Sequence, residues 1–248
     1  MFEAFRTARG IIRSLRIYYG DRTRAAAMDR LHAGLMRRGD LVFDIGTHVG
    51  DRVASFRRLG ARVVAVEPQP ALVKLLKLFY GRRADVAIEA VAVGREIGTT
   101  ALMINPDNPT VSTASPEFVS AARDVPGWET QRWTKSVVVP VTTLNALIDK
   151  YGIPAFIKID VEGFEEEALL GLTRAVKALS FEFTMIQRDV ALACIERGIA
   201  LGFTRFNAVL GESQTFVNAE WVGGEQISRW LTGLPSEANS GDIYASRA

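Results

Sequence analysis

The chain has 248 residues, a size that suits one large α/β domain, and its hydrophobic fraction of 48% excludes disorder as the general state. A single cysteine, Cys194, and two histidines, His32 and His48, exclude a disulfide framework, a Cys-based zinc site and a His-rich metal centre. The net charge of +2 argues against nucleic acid as a partner, and it is unevenly placed, because residues 1–40 hold nine arginines against four acids.

Residues 2–19 read as an amphipathic helix, with Phe2, Phe5, Ala8, Ile12, Leu15 and Tyr19 recurring at steps of three and four beside Arg6, Arg9, Arg13 and Arg16. Such a helix either packs its apolar stripe on its own domain, the reading favoured here, or lies on an anionic membrane surface or a partner. No apolar run approaches the ~18 residues of a membrane span, and a soluble, cytoplasmic protein is expected. A second helix is predicted over about 22–38, ending at Gly39. Residues 1–40 are therefore set apart as a helical extension, and residues 41–248 as one domain.

From residue 41 short apolar runs alternate with helical segments. Strands are predicted at Leu41–Ile45, Arg62–Val66, Val86–Ala90, Val137–Val141, Ala155–Ile159, Leu179–Phe183 and Phe203–Val209, with an extended piece near Thr100–Ile104. Helices are predicted at Val53–Leu59, Gln69–Tyr80, Leu144–Lys150, Phe164–Leu172 and Val190–Leu201. Strands this apolar, alternating with helices, imply a doubly wound, mostly parallel sheet covered on both faces. Residues 105–136 break the rhythm with four prolines, eight Ser/Thr, Trp128 and Trp133. A short helix near Glu117–Arg123 and a segment lying over a binding site are expected there, with the two tryptophans helping to close it.

Chemistry concentrates in two places. In Val42–Gly50 a buried strand runs into a turn with Asp44, Gly46 and Gly50, and a helix opens behind it. Glu67 stands 23 residues after Asp44 at the end of the second strand, where a carboxylate can accept hydrogen bonds from ribose hydroxyls. A dinucleotide loop carries G-x-G-x-x-G against a pyrophosphate. Here the spacing is G-x-x-x-G with an aspartate two positions ahead, which would repel a pyrophosphate and disfavours an NAD(P)-dependent oxidoreductase. A ligand with an ammonium or sulfonium group suits that carboxylate better, and S-adenosylmethionine has both. The second place is Phe156–Glu165, where Lys158 and Asp160 share a strand face and Glu162 follows at the turn into a helix. Charges there are costly to bury unless paired or used. Asp160 and Glu162 either satisfy backbone N–H groups at the helix start or act on a substrate. No metal site is assigned, two carboxylates in one stretch being weak grounds for one.

The chain resembles the FkbM-type S-adenosylmethionine-dependent methyltransferases. The resemblance rests on Asp44-Ile45-Gly46 with Gly50, Val66-Glu67-Pro68, Ala92-Val93-Gly94, Thr142-Thr143-Leu144, and Lys158-Ile159-Asp160-Val161-Glu162-Gly163 followed by Glu165 and Leu170-Gly171. It implies a class I methyltransferase, Rossmann-like fold and methyl transfer to a hydroxyl oxygen of a small sugar or natural-product acceptor. On this basis Asp44, Gly46, Gly50 and Glu67 map to the cofactor site, to which Thr47, His48 and Pro68 beside them are also assigned; at the carboxyl edge Asp160 and Glu162 are assigned to catalysis, with Glu182 and His48 as further candidates for the base. Two positions depart from the family's usual pattern: Thr47-His48 stand where it has Ala-Asn, and Asn145 where it has aspartate. His48 could contact the cofactor, act as a base or hydrogen-bond the loop. The alternative functions are a non-catalytic S-adenosylmethionine-binding protein and a membrane-surface interaction protein.

Overall fold

The apolar run Leu41–Ile45 forms β1, buried at every position. Around it the computed structural model describes residues 2–123 and 125–247, with side chains from Phe5 onward. Before β1 come α1 (Phe2–Gly20) and α2 (Arg22–Ala33), and after it α3 (Asp51–Arg58), β2 (Arg62–Val66), α4 (Pro70–Tyr80) and β3 (Val86–Glu89). Next are β4 (Ala92–Val93), β5 (Gly98–Ile104), α5 (Pro116–Ala122), β6 (Lys135–Thr142) and α6 (Leu144–Tyr151). The remainder supplies β7 (Phe156–Ile159), α7 (Glu165–Leu170), β8 (Ala178–Thr184), α8 (Arg188–Ala200), β9 (Arg205–Leu210), α9 (Gly224–Thr232) and β10 (Ser240–Ser246).

Seven strands form the main sheet in the order β3-β2-β1-β7-β8-β10-β9, and β10 alone runs against its neighbours. This is the doubly wound, mostly parallel class I methyltransferase architecture. Alternation along β1 sorts the two faces. Phe43 and Ile45 join a core with Leu147 of α6, Leu169 of α7, Ile195 of α8 and Ile227 of α9. Val42 packs on the other side with Leu31 of α2, Phe56 of α3 and Leu76 of α4. The chain leaves β1 toward β2 on one side and returns to β7 on the other, so the crevice outside their carboxyl ends is the switch point where ligands of such sheets bind.

Several elements differ from the sequence reading. The second helix ends at Ala33, not residue 38, because the chain turns at Gly34 and buries Leu35 and Met36 against the β1 side of the core. Gly39 is no helix cap; its N–H bonds the Gly60 carbonyl. The strand expected at Val137–Val141 is β6, which leaves the main sheet and pairs with β4 and β5 in a separate three-stranded sheet. The helix α9 and the strand β10 were not foreseen.

The first helix docks on the domain, but by a different face from the expected stripe. Gly10 and Ser14 are buried. A Cβ at Gly10 would stand 2.7 Å from Pro109 and 2.9 Å from the Pro106 carbonyl oxygen, so this face admits only small residues. Arg6 pairs with Asp107, and the Tyr19 hydroxyl donates to the Val49 carbonyl at 3.1 Å. Of the apolar stripe, Leu15 is half-buried, Phe5, Ala8, Ile12 and Tyr19 are exposed, and the Phe2 side chain lies outside what is described.

Candidate active site

A cleft of about 920 Å³, counted out to its open mouth, lies over the carboxyl ends of β1, β2 and β7. The turn after β1 forms its floor. Gly46 takes φ 84°, a conformation glycine adopts at little cost, and its N–H bonds the Val66 carbonyl of β2. The same position is pressed against the β7 turn, where a Cβ on Gly46 would come within 1.7 Å of the Asp160 carbonyl oxygen. Gly50, at φ 85°, opens α3, and a Cβ there would stand 2.8 Å from the Tyr80 ring.

Of the residues assigned from sequence, Asp44, Gly46, His48, Glu67, Pro68, Asp160 and Glu162 all border this cleft. Thr47 and Gly50 do not. Thr47 is buried, its hydroxyl donating to the Asp44 carbonyl, and Gly50 packs on α4; both shape the turn from behind.

The acids at the floor are buried and sparsely partnered. Asp44 is 2% exposed, and its Oδ2 has no hydrogen-bond partner among the described residues. Burial pushes its carboxyl up to about 7. Glu67 accepts from the His48 N–H through Oε2 and from the Gln69 N–H through Oε1, both at 2.8 Å. Burial nonetheless raises it to about 7, the two backbone donors working against the rise. Each Glu67 oxygen keeps a lone pair for a further donor. His48 sits at φ 51°, its Nε2 3.3 Å from the Thr110 hydroxyl and its ring edge-on to Tyr18. Burial lowers its imidazole to about 4, so it is neutral at physiological pH.

At the β7 end, Lys158 is 2% exposed and donates to Asp160 at 3.1 Å and to Asp242 at 2.7 Å. Asp242 comes from the unforeseen β10, so the sequence reading missed half of this pairing. Burial would discharge the lysine, but the two aspartates outweigh it and hold the ammonium charged. Asp160, Glu162 and Glu182 bring carboxylate oxygens within 4.8 Å of one another. Burial raises all three, but Lys158 and Arg52 reverse this for Asp160 and hold it below the usual carboxylate range. Glu162 and Glu182 are pushed well above it, by burial and then by the charge of Asp160. Environment thus pushes the carboxyls of one cluster in opposite directions, Asp160 down and Glu162 and Glu182 up, and the cluster titrates as a unit. Such a donor set can hold a proton or a hard cation. The helix-start role is filled by another residue: Glu165 accepts from the Val161 and Gly163 N–H groups at 2.9 and 3.0 Å, leaving Glu162, at φ 54°, without it.

The roof comes from the segment expected to lie over a site, but not from its tryptophans. Thr110, Ser112 and Ala114 border the cleft. Trp128 and Trp133 instead pack edge-on against Phe118 and flank a separate pocket, and the Trp133 indole N–H bonds the Val111 carbonyl. Further cleft residues that escaped the sequence reading include Tyr18, Asp51, Arg52 and Glu212. Arg52 was the most accessible of them, a charged residue in the first turn of the helix behind the glycine loop.

The profile of the methyltransferase FkbM domain family matches residues 44–233. No curated protein matches the sequence significantly. Among solved structures, similar folds include a precorrin-6y C5,15-methyltransferase from Geobacter metallireducens, at 13% identity and a TM-score of 0.45 over 91% of this chain and 87% of that one. Another is fibrillarin from Aeropyrum pernix in complex with S-adenosylmethionine, at 12% identity and a TM-score of 0.44 over 88% of this chain and 72% of that one. Likenesses this distant say nothing of the substrate. The family match, by contrast, spans well over half of the chain and includes both the Asp44–Gly50 turn and the Lys158–Gly163 run, and the chain belongs to the FkbM methyltransferase family as an S-adenosylmethionine-dependent methyltransferase.

Proposed function

We propose that the protein methylates a hydroxyl oxygen of a sugar or natural-product acceptor, with Asp160 and Glu162 at the reacting oxygen. The observation that carries this reading is the cluster of Asp160, Glu162 and Glu182 on the wall of the cofactor cleft. Carboxylates are the groups that grip hydroxyls and accept their protons.

The floor of the cleft suits S-adenosylmethionine. The orphaned Oδ2 of Asp44 is a buried acceptor awaiting a donor, and the cofactor's ammonium is such a donor. The lone pairs left on Glu67 suit the ribose hydroxyls, while Val91, Val93 and Leu102 offer an apolar wall for adenine. Gly46 lets the backbone come close, Pro68 continues the wall beyond Glu67, and Thr47 and Gly50 hold the turn. When bound, the cofactor supplies a methyl group on a sulfonium, open to in-line displacement.

The remaining work falls to the chain's own residues. Asp160, fixed by Lys158, orients the acceptor hydroxyl, and Glu162, once ionised, takes up its proton as the oxygen becomes nucleophilic. Neutral His48 accepts or donates one hydrogen bond at the same mouth, and Thr110 and Tyr18 restrict water. The test is incubation with S-adenosylmethionine and a panel of hydroxylated sugars and glycosides, scoring S-adenosylhomocysteine release and locating the methyl group by NMR. An O-methylated product is expected. Turnover restricted to amines or RNA would overturn the acceptor class, and cofactor binding without turnover on any class would favour the non-catalytic alternative.

A further inference from the structure

The first helix turns its small residues inward and its large apolar ones outward. Phe5 and Ile12, seven residues apart and hence on one line of the helix, are 70% and 50% exposed, while Tyr19, next on that line and 40% exposed, keeps its hydroxyl on the Val49 carbonyl. Arg9, Arg13 and Arg16 are exposed on the same side, and Arg9 reaches Asp107 only at 3.8 Å. Gly10, Ser14 and the Arg6–Asp107 pair fix the opposite face to the domain. The outward face is therefore a fixed part of the surface, an apolar row edged by three guanidinium groups.

We propose that this face seats the protein on an anionic lipid surface. A helix lying in a membrane interface needs an apolar row that enters the acyl boundary and flanking cations that meet phosphate headgroups, and α1 presents both. Charge decides against the rival occupants. A second copy of the chain would bring the same three arginines against themselves across a two-fold contact. Nucleic acid would match the arginines but gain nothing from Ile12, which cannot stack on a base. Anchoring through Phe5 and Ile12 leaves the fold intact, because Gly10, Ser14 and the Arg6–Asp107 pair on the opposite face hold α1 to the domain. Tyr18, which borders the active-site cleft, belongs to the same helix.

Co-sedimentation of the full chain with vesicles of phosphatidylcholine, with and without phosphatidylglycerol, tests this. Binding is expected to the anionic vesicles and to fall as salt rises. Neutralising the cations together (Arg9→Gln, Arg13→Gln, Arg16→Gln) should weaken it about a hundredfold, at roughly fivefold per arginine. The pair Phe5→Ser and Ile12→Ser should weaken it at unchanged charge, and all five positions are exposed, so melting temperature should hold in both variants. Equal binding to both vesicle types, or none, overturns the proposal. So does anionic binding indifferent to Phe5→Ser and Ile12→Ser, most plainly if an RNA oligonucleotide is bound with the same indifference. Self-association in light scattering, abolished by Ile12→Ser, would reassign the face to a dimer contact and equally overturn it.

Discussion

At the rim of the cleft, Arg24 and Arg52 close on Asp51 and Glu212 with contacts of 2.6–3.2 Å, whereas at its floor and wall no guanidinium among the described residues clasps Asp44, Glu162 or Glu182 in this way. The outcome for the acids is opposite. Burial alone would raise the Glu212 carboxyl, but Arg52 and Arg24 outweigh it and hold it at about 2. Burial without a comparable counterion raises Asp44 to about 7 and lifts Glu162 well above the usual carboxylate range. Paired acids of the rim stabilise the fold as it stands. Those of the floor cost the protein stability until a cationic or hydrogen-bonding ligand meets them, which is the behaviour of a binding site.

The contrast can be broken most forcefully at Glu162. Glu162→Gln keeps size and hydrogen-bonding atoms but cannot take a proton, and turnover should fall by about 10²–10⁴-fold. Melting temperature should not fall, because Glu165, not Glu162, accepts the Val161 and Gly163 N–H groups ahead of α7. In the parent enzyme, turnover should rise with pH along a limb displaced above the usual carboxylate range, since the base must first lose the proton that burial keeps on it; the variant should lack that limb. Normal turnover would remove Glu162 from the chemistry.

A smaller effect is expected at Glu67. Replacing it with alanine should weaken S-adenosylmethionine binding by about 1.5–3 kcal/mol, tenfold or more by calorimetry. Because Glu67 also accepts from the His48 and Gln69 N–H groups, this variant should melt at a lower temperature as well. Unchanged affinity in a folded variant would take Glu67 out of the cofactor site.

The smallest effects sharpen the contrast through their opposite pH signs. Asp44 has a folded value raised to about 7, so the stability its protonated form provides is lost as pH rises through that value. Asp44→Asn should therefore stabilise the ligand-free protein at pH 8, on the order of 1 kcal/mol, and by much less at pH 5. Glu212 is depressed to about 2, so it stabilises fully above its ordinary range and loses that effect as pH falls toward 2. Glu212→Gln should cost about 1 kcal/mol at neutral pH, and the difference from the parent should vanish in strong acid. Thermal melts of both variants across pH give the comparison directly, and parallel curves would refute it.

Much of this was legible in the chain because it is local. The strands β1, β2 and β7 are continuous apolar runs, the Asp44–Gly50 turn and Glu67 follow their ends, and the Lys158–Gly163 run marks the second wall. What escaped depends on distant partners. Asp242 meets Lys158 across 84 residues of chain, and nothing near either residue announces the other. The apolar content of β6 could not say which sheet it joins. The face on which α1 docks is decided by the prolines at 106 and 109, which leave space only for Gly10, so helical periodicity alone pointed to the wrong side.

The seam between Gly46 and Asp160 has a mechanical consequence. With no space for one carbon atom between them, the turns after β1 and β7 form a welded floor that can shift only as one piece. The roof is held from several sides: the Pro109–Val111 turn is tied to the loops by the Gln69 side chain and the His48 ring, to Trp133 through the Val111 carbonyl, and to α1 by its close packing on Gly10. Any side chain at position 46 would therefore pry the cofactor turn from the carboxyl cluster and spoil the alignment of the two walls.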